Sequence, residues 1–200
     1  INWASSLEVS FRAISWIWSF HLFRGSASLS VNVFKTAVKF LYLHGRHIER
    51  YLSKYYSPNT HLTGEALALF YLGTQLPFIK RSDHWRKLGE QIMCDEIKRQ
   101  VLDDGVYFEQ STWYQCYTVD FYLQFLILRS LNRDHQIGRT AVSLESRLES
   151  ALEFITGTLE SRLTSALEFM MHTTFPDRGS PIIGDDDGGH HHRHGLPDPR

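Results

Sequence analysis

The apolar residues of this chain recur at helical spacing over most of its length, and this periodicity limits the possible folds more than any other feature. In the opening segment, 3–23, they lie in steps of four, three and four: Leu7, Phe11, Ile14 and Trp18. Such steps place them on one face of a helix. Ser5 and Ser6, ahead of Glu8, are candidates for the N-cap of this helix.

The same periodicity predicts four more helices before residue 132, at about 31–51, 63–72, 83–102 and 114–131. We expect Gly73 to close the third helix and Asp83 to cap the fourth. Residues 106–113 are expected to be extended or irregular. Helices joined by short turns, with little strand signal, predict an all-α domain of paired helices.

A tandem duplication follows. Residues 143–154 recur almost unchanged as 158–169, an offset of fifteen. Fifteen residues make about four helical turns, so the duplication lengthens a helix and nearly preserves its apolar stripe. A solenoid would need at least three units. Pro, Gly, Asp and His then become frequent, which predicts a helical domain over 1–174 and a linker over 175–200.

Charge and hydropathy exclude two classes of partner. The formal net charge of −1 argues against a nucleic-acid binder that works by bulk electrostatics. No uninterrupted apolar run reaches the roughly 18 residues that a bilayer requires, so no membrane partner is expected. Aromatic residues make up 14% of the chain. They fill cores, but their faces also line sugar-binding clefts.

Neither metal nor cofactor is expected. Cys94 and Cys116 lack the spacing of metal ligands. The run 185–188 lacks the spacing of a helix-loop-helix calcium site and is interpreted as a tight turn. The histidine-rich tract 190–194 is interpreted as a solvated tail, with opportunistic metal binding as the alternative.

Polar and aromatic residues are concentrated beside three helix ends, in segments 2–16, 57–67 and 104–117. Asn59 and His61 precede the third helix, where their side chains either enter a cleft or serve as capping groups. The other candidates are Tyr114 and Tyr117 with Glu109 and Gln110 before them, and Arg12 with Trp16. A tyrosine acts as general acid or base when neighbours lower its pKa from roughly 10, but most tyrosines at such positions line a core or cleft. An arginine either forms a surface ion pair or binds a sugar carboxylate while a tryptophan stacks on the ring.

These segments resemble successive blocks of the heparinase II/III-like polysaccharide lyase family. The blocks stand in order at 2–18 (NWASSLEVSFRAISWIW), 57–73 (SPNTHLTGEALALFYLG), 100–122 (QVLDDGVYFEQSTWYQCYTVDFY) and 181–189 (PIIGDDDGG). The resemblance implies an incomplete (α/α) toroid followed by an antiparallel β-sandwich. It also implies β-elimination on acidic, uronate-containing polysaccharides such as heparan sulfate or alginate, in a periplasmic or secreted bacterial protein.

Because the chain starts at Ile1 and ends before the sandwich, we expect a piece of a lyase that is weakly active or inactive alone. The family's asparagine and histidine at the start of an inner helix match Asn59 and His61. Thr60 separates them here, whereas they are adjacent in better-studied lyases, which leaves open which fills which role. The tyrosine that acts on the leaving group matches Tyr114.

β-Elimination removes the C5 proton of a uronate and expels the oxygen at C4. Asn59, helped by Arg12, would neutralise the carboxylate. Tyr114 would be the acid, or both acid and base, and His61 a base or a second neutralising group. Arg12, Trp16, Glu109, Gln110 and Tyr117 are expected to contact substrate.

Two alternatives remain open. One is a non-catalytic or vestigial carbohydrate-binding fragment, which the duplication favours. The other is a glycoside hydrolase on an α/α toroid, which needs paired carboxylates, with Glu65 and Glu109 as the available pair.

Overall fold

The fold consists of helices packed side by side. The computed structural model describes residues 3–132, 142–175 and 181–184, with side chains outside 142–156. Its helices are α1 (Ser6–Leu22), α2 (Val31–Arg50), α3 (Thr60–Gln75), α4 (Ser82–Gln100), α5 (Thr112–Leu131) and α6 (Val142–Thr173). Outside the helices, Val101 and Tyr107 form an isolated antiparallel bridge. The all-α prediction is confirmed.

Side-chain caps fix the starts of four helices. The caps are Ser5 for α1, Ser30 for α2, Asn59 for α3 and Ser111 for α5. Each side-chain oxygen accepts a hydrogen bond from a backbone N–H of the first turn that has no partner within the helix. The predicted cap at Ser5 is confirmed, since its hydroxyl accepts from the backbone N–H of Glu8. Two of these caps, Asn59 and Ser111, lie in the segments that carry the candidate site.

Helix α3 is the centre of the core. It is buried from Leu62 to Gly73 and packs against α1, α2, α4 and α5. Gly73 does not close the helix as predicted but allows α4 to approach closely. A Cβ at this position would lie 2.4 Å from both the backbone nitrogen of Arg86 and the backbone oxygen of Ser82.

Two further local predictions are wrong. Asp83 does not cap α4, which begins one residue earlier, and its carboxylate pairs with Arg86 and Lys87 in the first turns. The most buried residues of α1 are not the predicted stripe; they are Val9, Ser10, Ala13 and Ile17. Phe11 and Trp18 are exposed by 36% and 51%. Helix α1 is apolar around most of its circumference, so contact with α2 and α3, rather than periodicity, selects the buried face.

Helix α6 runs unbroken through both copies of the duplication, as a lengthened helix should. In the second copy, Leu159, Leu163 and Ala166 are buried. Arg162 donates to the carbonyl of Val101 at 3.0 Å, which attaches α6 to the end of α4. The histidine tract at 190–194 and the acidic run at 185–187 lie outside the described residues. Among the described helices, none is both long and apolar enough to cross a membrane.

Candidate active site

Asn59 connects the start of α3 to the segment that precedes α5. Its side-chain oxygen accepts from the backbone N–H of His61 at 3.1 Å, and its Nδ2 donates to Oε1 of Glu109 at 2.9 Å. Gln100 holds the same loop from behind, since its Nε2 donates to the carbonyls of Pro58 and Asn59 at 3.0 and 3.3 Å. Two segments that are 50 residues apart in sequence therefore meet, and three of the predicted site residues lie in this contact.

The segment before α5 is held firmly by its own contacts. The backbone N–H of Tyr107 donates to Oε1 of Gln115 at 2.6 Å, and Nε2 of Gln115 donates to the carbonyl of Gly105 at 2.9 Å. Gln110 adopts a left-handed backbone conformation with φ of 54°. That conformation is strained for a residue with a side chain and persists where surrounding contacts impose it.

Two buried polar atoms lie beside this contact. Among the described residues, neither Oε2 of Glu109 nor the hydroxyl of Tyr107 has a hydrogen-bond partner of good geometry. Burial, reinforced by the charge of Glu109, raises the pKa of Tyr107 well above its usual value. Tyr107 therefore stays protonated at neutral pH and is not the tyrosine that could accept a proton.

Tyr114 and Tyr117 lie on the first two turns of α5, and both are half-buried. The backbone N–H of Tyr114 donates to the capping hydroxyl of Ser111 at 3.4 Å, so the cap fixes the start of this turn. The ring of Tyr117 packs on the core, 6.1 Å from that of Phe121. Tyr114 is thus the better candidate for contact with a substrate.

Arg12 and Trp16 belong to the contact between α1 and α2. The indole of Trp16 is half-buried, with its ring 5.2 Å from that of His44 and 6.5 Å from that of Phe40. Burial, and then the charge of Arg12, lowers the pKa of His44 to about 4. His44 is consequently neutral at physiological pH. The predicted substrate contacts of Arg12 and Trp16 remain predictions.

An open cavity of about 630 Å³ lies where the starts of α1 and α3 meet the end of α2. We call it the Trp3–His61 cavity; its lining is Trp3, Ala4, Ser5, Ser6, His47, Tyr51, Ser53 and His61. Of these residues, the sequence analysis predicted only His61 as a site residue. His47 and Tyr51 could have been identified from their spacing, which places them with His44 on one face of the last turns of α2.

Glu65 holds Ser53, one of the residues that line this cavity. It is fully buried, and its two oxygens accept from the backbone N–H and the hydroxyl of Ser53, each at 2.7 Å. Burial raises the pKa of Glu65 to about 7 despite these two hydrogen bonds. With no exposed surface, Glu65 acts here as an anchor for the loop between α2 and α3.

The chain after α6 returns to this site. Thr112 donates its backbone N–H to the carbonyl of Ile183 at 3.0 Å and its hydroxyl to that of Pro181 at 2.8 Å. Gly184 adopts a left-handed φ of 79°, and a Cβ there would lie 2.7 Å from the carbonyl oxygen of Gln110. Residues 181–184 therefore lie directly against the first turn of α5.

Comparison with known proteins gives consistent likenesses. The heparin-sulfate lyase of Pedobacter heparinus is 28% identical over 182 residues, which are 90% of this chain and 24% of that protein. The heparin-sulfate lyase of Bacteroides stercoris is 32% identical over 125 residues, which are 62% of this chain and 18% of that protein. The chain thus spans about a quarter or less of the length of these curated relatives.

Solved structures and a family model complete the comparison. A crystal structure of heparinase III matches 90% of this chain and 25% of its own, with a TM-score of 0.66 and 22% identity. A likeness at this identity shows the fold alone, which is the incomplete toroid of paired helices expected from the sequence. The model of the Heparinase II/III N-terminus family matches residues 1–193. The chain therefore belongs to the Heparinase II/III N-terminus family.

Proposed function

We propose that this chain is the helical domain of a lyase that cleaves an acidic, uronate-containing polysaccharide by β-elimination. Its family membership and the heparin-sulfate lyases among its relatives support this assignment. The observation that carries it is the hydrogen bond from Asn59 to Glu109. This bond joins the loop that bears Asn59 and His61 to the segment that leads into Tyr114.

Asn59 is the group proposed to neutralise the substrate carboxylate. A carboxamide nitrogen has two N–H donors, and Glu109 accepts one of them. The side-chain oxygen is held by the backbone of His61, so the orientation of the whole amide is fixed before substrate arrives. The second N–H is then the donor for the uronate carboxylate. A donor fixed in advance favours the charge that develops as the C5 proton leaves.

Tyr114 is the group proposed to protonate the leaving oxygen at C4, and it also takes the C5 proton when both lie on the same side of the ring. His61, which lines the Trp3–His61 cavity, is the second candidate for the base. Either assignment requires side chains from both segments, which explains why the contact between Asn59 and Glu109 matters.

The experiment uses a parent protein that carries this chain together with the β-sandwich domain that we expect. It is incubated with heparan sulfate, alginate and glucuronan, and the ultraviolet absorbance of the unsaturated uronate product is followed. A lyase produces that absorbance from at least one of the three polymers. New reducing ends without it would identify a hydrolase, and binding without either product would identify a carbohydrate-binding fragment. Each of these two outcomes contradicts the proposal.

A further inference from the structure

The Trp3–His61 cavity has an aromatic wall that is held in place by its own contacts. The ring of His47 lies 5.2 Å from that of Trp3 and 4.7 Å from that of Tyr51. The hydroxyl of Ser6 donates to the backbone carbonyl of Tyr51 at 3.1 Å, which fixes the start of α1 against the end of α2. Rings held in this way lose little freedom on binding a ligand.

The size and lining of this cavity suit a sugar. A volume of about 630 Å³ falls within the range of small-ligand sites. Trp3 and Tyr51 offer aromatic surface for the apolar faces of a pyranose ring. Serine hydroxyls and imidazole nitrogens line the remainder. The hydroxyls of Ser6 and Ser53 already donate within the protein, so they accept hydrogen bonds from sugar hydroxyl groups, while the imidazoles can donate.

The charges around the cavity favour an anionic ligand. Among the described residues, its lining contains no carboxylate. Burial lowers the pKa of His47, so its imidazole is neutral at neutral pH and offers an anion a hydrogen bond and not a charge. The N-terminal ends of α1 and α3 lie at the cavity, and backbone N–H groups at such ends favour negative charge. The guanidinium of Arg50 lies 5.6 Å from the ring centre of Tyr51. The nearby carboxylate of Glu65 is fully buried behind Ser53.

We propose that the Trp3–His61 cavity binds one anionic sugar ring of the polysaccharide, next to the ring that reacts at Asn59 and Tyr114. Trp3 and Tyr51 contact the faces of this ring, and His47 donates a hydrogen bond to its carboxylate or sulfate. These residues thereby select acidic over neutral polysaccharides. The choice of polymer rests on the proposed function; the presence of a subsite for an anionic sugar does not.

The test is calorimetric titration of the full 200-residue chain with a heparan sulfate oligosaccharide and with a neutral malto-oligosaccharide of equal length. The variants are Tyr51→Ala, at a side chain exposed by 55%, and His47→Gln. The controls are Phe78→Ala and His21→Gln, an exposed aromatic residue and an exposed histidine. Both controls lie near the far end of α3, which is about 21 Å from His61 along the helix axis.

We expect Tyr51→Ala and His47→Gln each to weaken binding of the acidic oligosaccharide about tenfold, which corresponds to about 1.4 kcal/mol. Both controls should bind like the unmutated chain, and melting followed by circular dichroism should show that all variants are folded. Absence of binding by the unmutated chain, equal binding of the neutral oligosaccharide, or unchanged binding by both variants would overturn the proposal.

Failure of this subsite and failure of the proposed function can be told apart in the parent protein. If unsaturated product forms and Tyr51→Ala leaves KM unchanged, the subsite is wrong and the lyase assignment stands. If the variants lose binding and no unsaturated product forms from any polymer, the subsite stands and the lyase assignment is wrong.

Discussion

Asn59 shows how much a single residue determines in this site. One short carboxamide caps α3 and bonds to Glu109, and in the proposed mechanism its second N–H is the donor to the substrate. A purely structural cap would need only the oxygen, which serine supplies for α1, α2 and α5. The amide nitrogen is the feature that serine lacks, and it is the atom that joins the two segments of the site.

Replacement of Asn59 by alanine removes the cap and also deprives Glu109 of its donor. We expect Asn59→Ala to lower the free energy of unfolding by about 2–4 kcal/mol, the sum of a lost cap and a partly buried carboxylate left without its partner. Ser30→Ala is the control, because it removes a helix cap alone and should cost about 1 kcal/mol. Urea unfolding measures both, and equal losses would contradict the account of Glu109.

Removal of one hydroxyl tests the role of Tyr114. In a parent protein with lyase activity, Tyr114→Phe should lower kcat at least about 100-fold, since a positioned acid or base contributes roughly that much or more. Tyr117→Phe, one turn further along α5 and packed on the core, should retain activity. Product absorbance measures the rate, and near-equal rates for the two variants would exclude Tyr114 as acid or base.

Two buried titratable groups give stability opposite dependences on pH. Burial raises the pKa of Glu65 from 4.5 to about 7, so the folded state binds more protons there, and this group's contribution to stability falls as pH rises from about 4.5 to 7. Burial lowers the pKa of His44 from 6.5 to about 4, so its contribution rises with pH between about 4 and 6.5. The two effects offset each other over most of this range.

Glu65→Gln separates these effects, because glutamine keeps an acceptor for Ser53 but does not titrate. We expect the variant to gain stability relative to the unmutated chain as pH rises from 5 to 7. Its own free energy of unfolding should rise over the lower part of that range, where His44 is already neutral in the folded state and loses its proton only in the unfolded state. Urea unfolding at a series of pH values measures this, and parallel pH profiles for the two proteins would refute the assignment.

At the scale of elements, the sequence predicts where the helices lie, but it does not predict which face of each helix is buried. Serine before α1 and the alternation of polar and apolar residues in α2 specify these helices locally. By contrast, the buried face of α1 is chosen by its neighbours, because apolar residues surround the helix. In the sequence, Gly73 indicates the end of a helix. In the fold, it lies inside α3 at the point where α4 approaches closely.

Gly73→Ala tests whether the absence of a side chain at residue 73 is needed for the close approach of α4, and Gly157, also within a helix, is the matched control. We expect it to destabilise the fold by more than about 2 kcal/mol, since the added methyl group would meet the backbone of α4 at 2.4 Å. Gly157→Ala in α6 meets nothing within 4 Å and should stabilise by about 0.5–1 kcal/mol. Thermal melting of both variants gives the comparison. A Gly73→Ala variant as stable as the unmutated chain would show that the helices can separate at no cost.

At the scale of the whole molecule, the fold brings together three residues that the sequence singled out, but the sequence did not indicate the cavity beside them. Asn59, His61 and Glu109 are polar residues at helix ends, where function is often found, and the fold brings them together. Trp3, His47 and Tyr51 come from two helices whose approach is visible only in three dimensions. Helical spacing says which residues of α2 share a face, but not that the start of α1 meets that face.

Activity should depend on more than this chain. We expect the 200-residue chain to produce unsaturated product at least about 100-fold more slowly than a parent protein with the expected β-sandwich, because proximity accelerates a reaction only when all reacting groups are assembled. Both proteins are assayed on the same polymer at equal molar concentration. Comparable rates would show that the helical domain holds the complete catalytic machinery.

The hydrogen bonds from Thr112 to Pro181 and Ile183 affect how close to the site a following β-sandwich domain would be held. The backbone is fastened there beside the first turn of α5, so a domain that follows residue 200 would be tethered from this point and not from the end of α6. This shortens the tether and raises the effective concentration of such a domain at the site, which favours a weak interface between the two without any new contact.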